Sequence, residues 1–120
     1  MIVLDSAAFL NALELPPGDK ATTPEVLAEL KDRRSKMLAD AAKVSGELGV
    51  FSPEEKHVEK VKKTAGRILP KLSKADVSVL ALSLELGCPV MTDDYAVQVV
   101  ANRLGVGFRP VYRRGIKEKI

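Results

Sequence analysis

The sequence is poor in the residues that build disulfides, zinc sites and aromatic surfaces. It has one cysteine, one histidine and no tryptophan in 120 residues. The lone Cys88 excludes an internal disulfide and a zinc site made of several cysteines. His57 lies among lysines on a predicted helix, so we interpret it as a surface residue. Aromatic residues make up 4% of the chain, which argues against base stacking as the main source of nucleic-acid affinity.

Long apolar runs and targeting signals are also missing. No apolar run is long enough to cross a bilayer. The N-terminal sequence MIVLDSAAFL lacks a basic leader and carries an acid at Asp5, so we expect no signal peptide and a cytoplasmic protein. No GxGxxG or phosphate-binding loop follows the first strand, which argues against a nucleotide-cofactor domain. With 46% hydrophobic residues, residues 1–120 are expected to form a single domain.

The net charge of +3 is modest, but acids are nearly absent from the C-terminal segment. From position 103 onward, Glu118 is the one acid, set against Arg103, Arg109, Arg113, Arg114, Lys117 and Lys119. A second basic group covers residues 56–74. A solvated surface explains either group alone as well as a binding site does. The two groups together fit a polyanionic partner such as RNA.

Short apolar runs alternate with helical periods along the chain. The predicted strands are residues 2–4, 21–23, 47–51, 88–91 and 106–112. The predicted helices are residues 6–13, residues 24–45 with a break near Ser35, a helix that starts at Ser52-Pro53-Glu54-Glu55 and ends near Pro70, and residues 73–86 and 93–104. This alternation predicts an α/β protein with a parallel sheet covered on both faces.

Acidic residues recur where predicted strands pass into helices. Asp5, Asp93 and Asp94 follow predicted strands, and Glu29 and Asp76 lie in predicted helices. In open α/β sheets the ligands bind at this carboxyl edge.

Each acid has an ordinary structural explanation when taken singly. Asp5 and Asp93 fit helix N-caps, Asp76 fits a capping box with Ser73, and Glu29 fits an exposed helix position. These roles do not explain why the acids converge on one edge of the sheet, where like charges repel unless a cation neutralises them.

A carboxylate cluster without histidine or cysteine selects a hard cation, Mg²⁺ or Mn²⁺. We therefore expect one member of the pair Asp93 and Asp94 to serve a metal site while the other caps the helix or supports the site. A carboxylate-held metal fringed by Lys and Arg favours phosphodiester hydrolysis.

Four segments in order, VLDSAAFL, TTPEVLAEL, LSKADVSVLAL and VMTDDYAVQ, resemble the PIN-domain nuclease family across nearly the whole chain. The resemblance implies a three-layer α/β/α fold whose five-stranded parallel sheet has the order 3-2-1-4-5. It also implies that the catalytic metal ligands are Asp5, Glu29, Asp76 and Asp94. Ser6 and Thr92 match the hydroxyl positions that hold these carboxylates, and Asp93 matches an auxiliary acid.

Within the family, TDDYAVQ followed by Leu-Gly and a basic tail resembles the Nob-type endoribonucleases, which trim the 3′ end of small-subunit rRNA. That resemblance implies precursor rRNA and ribosomal precursor particles as partners. Two features depart from it. The sequence stops at GIKEKI, about where the four-cysteine zinc ribbon of those proteins would begin, and Val99 stands where they often have Asn.

Three other protein classes share features with this sequence. A VapC-type toxin ribonuclease, with an antitoxin as partner, shares the acids and the length. A non-catalytic RNA-binding module remains compatible with the basic surface. A phosphoacceptor receiver domain is disfavoured, because its acidic pair follows the first strand whereas Asp93 and Asp94 come late.

Overall fold

The computed structural model describes residues 1–12 and 14–111. Its five strands form one parallel sheet in the order β3-β2-β1-β4-β5, with helices flanking the sheet in an α/β/α arrangement, as expected. The strands are β1 (Ile2–Leu4), β2 (Lys20–Thr22), β3 (Leu48–Val50), β4 (Val90–Met91) and β5 (Phe108–Arg109). The helices are α1 (Ser6–Asn11), α2 (Pro24–Glu29), α3 (Arg33–Val44), α4 (Glu55–Ala65), α5 (Lys74–Leu86) and α6 (Tyr95–Leu104), with a 3₁₀ segment at Gly66–Lys71.

The predicted helix over residues 24–45 is two helices, and the break lies at residues 30–32, before the predicted break near Ser35. Thr23 caps α2 by accepting a hydrogen bond from the N–H of Val26 at 3.2 Å. Asp32 caps α3 by accepting from the N–H of Ser35 at 2.9 Å. Glu29 is therefore the last residue of a short helix, close to the carboxyl edge of the sheet.

The start of α4 differs from the expectation that Ser52 and Pro53 begin this helix. Its N-cap is Glu54, whose side chain makes no capping bond. Instead, the N–H of Glu54 donates to Oε1 of Glu85 at 2.8 Å. A carboxylate from another helix thus replaces the local cap.

The boundaries of α5 are those that the sequence predicts. Ser73 and Asp76 form a reciprocal capping box at its start. Gly87 ends the helix with φ of 67°, a left-handed conformation that costs glycine least.

The core lies between the sheet and its helices, and it fixes the neighbours of the site. Val3 pairs with Val90 and Leu4 with Met91 in the parallel register, and these four side chains are buried. Because β1 and β4 are adjacent, the residues that follow them emerge side by side at one edge.

Strand β5 is shorter than the predicted strand 106–112, and residue 112 lies outside the described part. Within the described ranges, no helix has both the length and the apolar character that a membrane span requires.

Candidate active site

Asp5 lies at the end of β1, where it is almost completely buried, with 3% of its surface exposed. Its Oδ1 accepts a hydrogen bond from the N–H of Ser6 at 2.8 Å, which caps α1. Its Oδ2 accepts from the hydroxyl of Thr92 at 2.7 Å. Thr92 thus holds the carboxylate as expected, while Ser6 contacts it through the backbone N–H rather than through its hydroxyl.

Thr92 connects Asp5 to the loop before α6. Its hydroxyl oxygen also accepts from the N–H of Asp94 at 3.0 Å. Asp94 in turn caps α6, because its Oδ1 accepts from the N–H of Val97 at 3.2 Å. One buried hydroxyl therefore fixes both the orientation of the Asp5 carboxylate and the backbone that carries Asp94.

Asp76 approaches the same edge from the first turn of α5. Its Oδ2 accepts from the N–H of Ser73 at 2.8 Å within the capping box. Thr23 and Ser78, whose hydroxyls are 2.7 Å apart, connect the start of α2 to α5. This contact couples the helix that carries Glu29 to the helix that carries Asp76.

Burial and mutual repulsion perturb the acids. Burial raises the pKa of Asp5 to about 6, with smaller increases from the charges of Asp76 and Asp94 and decreases from the bonds of Thr92 and Ser6. Burial likewise raises the pKa of Asp76, and the charges of Asp94 and Glu29 raise it further. These interactions link all four acids, Asp5, Glu29, Asp76 and Asp94, into one electrostatic cluster.

Within residues 1–12 and 14–111, no basic side chain forms an ion pair with the cluster. The ion pairs of the described residues involve none of its four acids. The four donors are carboxylates, which suit a hard divalent cation.

The adjacent acids Asp93 and Asp94 have different structural roles. Both are exposed. Oδ1 of Asp93 accepts from the N–H of Val111 at 3.0 Å, so this side chain ties the segment after β5 to the loop after β4. Asp94 faces Asp5 and Asp76 instead. Asp93 thus makes a structural contact and Asp94 adds charge to the cluster, while the role of either acid in binding a metal stays a prediction.

Gln98 makes a supporting contact that the sequence pattern did not predict. Nε2 of Gln98 donates to the carbonyl oxygen of Thr92 at 3.2 Å. The signal in the sequence is its position one turn into α6, on the side of the Thr92 loop, but the pairing itself depends on how that loop folds back.

The basic residues expected to contact RNA are distributed unequally. Arg109 ends β5, its side chain is exposed, and its carbonyl accepts from the N–H of Thr92 at 3.0 Å, so it stands at the acidic edge. Arg103 lies nine residues beyond Asp94, near the other end of α6, and donates to the carbonyl of Ala65 at 3.3 Å. Three further predicted contacts, Arg113, Arg114 and Lys117, lie outside the described residues.

A second group of possible metal ligands lies away from the acidic edge. Among the described residues, Glu54, His57 and Glu85 are the one group of three or more possible ligands whose ligand atoms all lie within 4.8 Å of one another. No three of Asp5, Glu29, Asp76 and Asp94 lie that close together. Oε1 of Glu85 accepts from Nδ1 of His57 at 3.1 Å as well as from the N–H of Glu54. Hydrogen bonding and helix capping therefore account for this group without a cation, and they show that His57 is half-buried and paired rather than a solvated surface residue.

Comparison with known proteins identifies the family. The family described as PIN domain of ribonuclease matches residues 2–86. Endoribonuclease Nob1 of Pyrococcus abyssi is 41% identical over 99% of this chain and 73% of its own length. Endoribonuclease Nob1 of Methanocaldococcus jannaschii is 34% identical over 98% of this chain and 62% of its own length.

A relative with a different name is equally similar. Ribonuclease VapC3 of Aeropyrum pernix is 43% identical over 95% of this chain and 88% of its own length. All three relatives carry ribonuclease names, and the family match covers β1 through α5. The chain belongs to the PIN-domain ribonuclease family.

Proposed function

We propose that the protein is a metal-dependent endoribonuclease whose cation is Mg²⁺ or Mn²⁺, held by Asp5, Glu29, Asp76 and Asp94. The observation that carries the proposal is the position of Asp5. Its carboxylate is buried at the carboxyl edge of the sheet beside two other acids, and its pKa is raised to about 6. A bound cation would relieve the repulsion that this arrangement creates.

The donor chemistry of these residues fits such a cation, whose binding would draw the carboxylates closer together. The four candidate ligands offer only carboxylate oxygens, and Asp5 is held rigidly by Thr92 and Ser6. When bound, Mg²⁺ or Mn²⁺ supplies a nucleophile from water at neutral pH and neutralises negative charge that develops on the phosphate. Thr92 holds the carboxylate of Asp5 toward the site, and the exposed Arg109 is placed to attract the phosphate backbone.

Product analysis tests the reaction. Attack by water on phosphorus with displacement of the 3′ oxygen leaves a 5′-phosphate and a 3′-hydroxyl. Attack by the substrate's 2′-hydroxyl instead displaces the 5′ oxygen, leaves a 2′,3′-cyclic phosphate and usually needs histidines as acid and base. We expect EDTA to stop cleavage, Mn²⁺ or Mg²⁺ to restore it, and His57→Ala to retain it. A 2′,3′-cyclic phosphate at the cleaved end, or full activity in EDTA, would refute the proposal.

For the substrate we propose precursor small-subunit rRNA, cleaved near its 3′ end. The support is the similarity to proteins named Nob1 over nearly the whole chain and the Nob-like segment TDDYAVQ. Cleavage of a model precursor with a defined 3′ extension, compared with a panel of tRNAs, tests this substrate. Specific trimming of the precursor is expected, and preferential cleavage of tRNA would exclude it.

A VapC-type toxin ribonuclease is the second candidate, favoured by the 43% identity to the protein named VapC3. The acids cannot separate the two roles, because both use the same site. Co-purification of a small protein that inhibits cleavage would decide for the toxin. RNA binding without any metal-dependent cleavage would instead leave a non-catalytic RNA-binding module.

A further inference from the structure

A pocket of about 490 Å³ opens next to the acidic cluster, between α2, α4 and α5. It has the size of a small-molecule site. Two contacts place it beside the cluster. Ser73 lines the pocket and donates to Asp76, and Ser78 lines it and contacts Thr23 at the start of α2. None of the four acids lines the pocket, and these two contacts connect its wall to the acidic cluster.

Its lining combines an apolar wall with polar groups at the edge. Val58, Leu69, Leu72 and Val77 are buried or half-buried. Lys62 and Lys74 are exposed at its rim. An apolar surface that can contact a flat ring, next to two cations that can contact phosphate, suits one nucleotide of a single-stranded RNA.

Glu25 adds to this pocket a carboxylate oxygen that lacks a hydrogen-bond donor. Within residues 1–12 and 14–111, Oε1 of Glu25 is buried and has no hydrogen-bond partner. Leaving a charged acceptor buried and unsatisfied is costly. The same side chain lines the pocket. Because the terminal torsion of a glutamate is soft, its carboxylate can reorient toward a ligand that offers donors there. Glu25 is thus ready to accept hydrogen bonds from a ligand.

A carboxylate only accepts hydrogen bonds, and this decides which base it recognises. Guanine alone presents two adjacent donors on its pairing edge, N1–H and the 2-amino group. Adenine and cytosine place a ring acceptor beside their amino group, which a carboxylate oxygen repels, and uracil places carbonyl groups on both sides of its single N–H. Glu25 therefore matches guanine and disfavours the other three bases.

Glu25 and Glu29 are four residues apart on α2, so they lie on the same side of the helix about one turn apart. We infer that the Glu25 pocket binds a guanine of the RNA substrate next to the scissile phosphate, with Glu25 accepting from its N1–H and 2-amino groups. This inference rests on the proposed endoribonuclease function, and it names the base that the same site selects.

Nucleotide binding in EDTA tests the pocket without cleavage or metal. Methyl resonances of Val58, Leu69 and Val77 report contacts in NMR titrations with GMP, IMP, AMP, CMP and UMP. GMP should shift all three and bind most tightly. IMP lacks the 2-amino group and should bind about tenfold more weakly, the usual effect of losing a hydrogen bond to a charged partner.

Matched variants assign the effect to Glu25. Glu25→Gln has one acceptor and one donor group, so its preference for GMP over AMP should fall to about twofold or less. Glu55→Gln makes the same chemical change at an exposed position of the same pocket and should keep the preference. If Glu25→Gln does not fold, the comparison of GMP with IMP in the unmodified protein still tests whether the pocket recognises the 2-amino group.

The outcomes separate this inference from the proposed function. Equal affinity for all five nucleotides, or GMP shifts outside the pocket, would overturn it. GMP selectivity in a protein that cleaves no RNA would leave the pocket standing and remove the endoribonuclease proposal. The opposite result is also informative. If the protein cleaved RNA in a metal-dependent way, cleaved it equally well with inosine in place of each guanine, and did not bind GMP, the endoribonuclease proposal would stand and the guanine pocket would be refuted.

Discussion

Asp94 is both a helix cap and a negative charge beside Asp5 and Asp76, and these two roles can be separated. Asparagine caps helices as well as aspartate does. We therefore expect Asp94→Asn to leave the free energy of unfolding in EDTA unchanged or slightly raised, because repulsion in the cluster falls. Cleavage should drop by at least about 100-fold, because a proposed metal ligand is lost. Urea unfolding and initial cleavage rates measure the two effects.

Asp94→Ala is the matched control. It removes the same charge but also the bond to the N–H of Val97, so it should cost about 1 kcal/mol relative to Asp94→Asn. If Asp94→Asn destabilised the protein as much as Asp94→Ala does, the negative charge itself would be stabilising, which would contradict the expected repulsion within the cluster.

At the scale of single elements, the sequence predicted the helix boundaries that local residues set. It did not predict the boundaries that depend on residues far away in the chain. The capping box of Ser73 and Asp76 lies within four residues, and α5 begins and ends as expected. The start of α4 was misplaced because its capping carboxylate, Glu85, comes from 31 residues away. The break after Glu29 was misplaced because leucine at position 30 continues the apolar pattern although Asp32 already begins α3.

The candidate site follows the same division. Strand ends and helix starts located Asp5, Asp76 and the pair Asp93 and Asp94, because a parallel sheet brings these points to one edge. The choice of Asp94 within the pair came from the family resemblance. The role of Asp93 could not be predicted, since its partner, the N–H of Val111, lies beyond β5. The burial of Oε1 of Glu25 without a hydrogen-bond partner could not be predicted either, because it depends on how the helices pack and no local sequence pattern encodes this.

The contact of Glu85 with α4 makes a prediction at this scale. Glu85→Ala removes the acceptor of both the Glu54 N–H and His57, so we expect a loss of about 1–2 kcal/mol in unfolding free energy. Cleavage under folding conditions should be retained, because Glu85 lies nine residues from Asp76 along α5, or about 14 Å.

Glu59→Ala, at an exposed position of α4, is the comparison for general helix effects and should change stability by less than about 0.5 kcal/mol. Equal stability of the two variants in guanidinium or urea would show that Glu85 does not cap α4.

For the whole molecule, the positions of the arginines predict an unequal response to salt. Arg109 stands at the acidic edge, whereas Arg103 lies near the other end of α6 and already donates to Ala65. Arg109→Gln should reduce the slope of log affinity against log salt by about 0.7, the value for one contact with single-stranded RNA. Arg103→Gln should leave the slope nearly unchanged. Fluorescence anisotropy with a labelled RNA at several salt concentrations measures both slopes, and equal changes would contradict the assignment.

The acidic cluster also couples the stability of the whole protein to pH and metal. The pKa of Asp5 is raised from its ordinary value of 3.8 to about 6, so the folded protein holds this proton more tightly than the unfolded chain does. Its contribution to stability is present below about pH 4 and is lost as the pH rises to about 6. Without metal, this single group accounts for a loss of up to about 3 kcal/mol across that interval.

Asp5→Asn cannot titrate there and isolates the contribution. In EDTA, the unfolding free energy of this variant relative to the unmodified protein should rise between pH 4 and 6.5 and then level off. Saturating Mn²⁺ should stabilise the unmodified protein increasingly over the same interval, because the cation requires the deprotonated carboxylates. Since Asp5→Asn loses a ligand, Mn²⁺ should stabilise it much less. Thermal unfolding at a series of pH values, once in EDTA and once in Mn²⁺, measures both effects. If stability changed with pH in the same way for the two proteins under both conditions, Asp5 would have neither a raised pKa nor a role as a metal ligand.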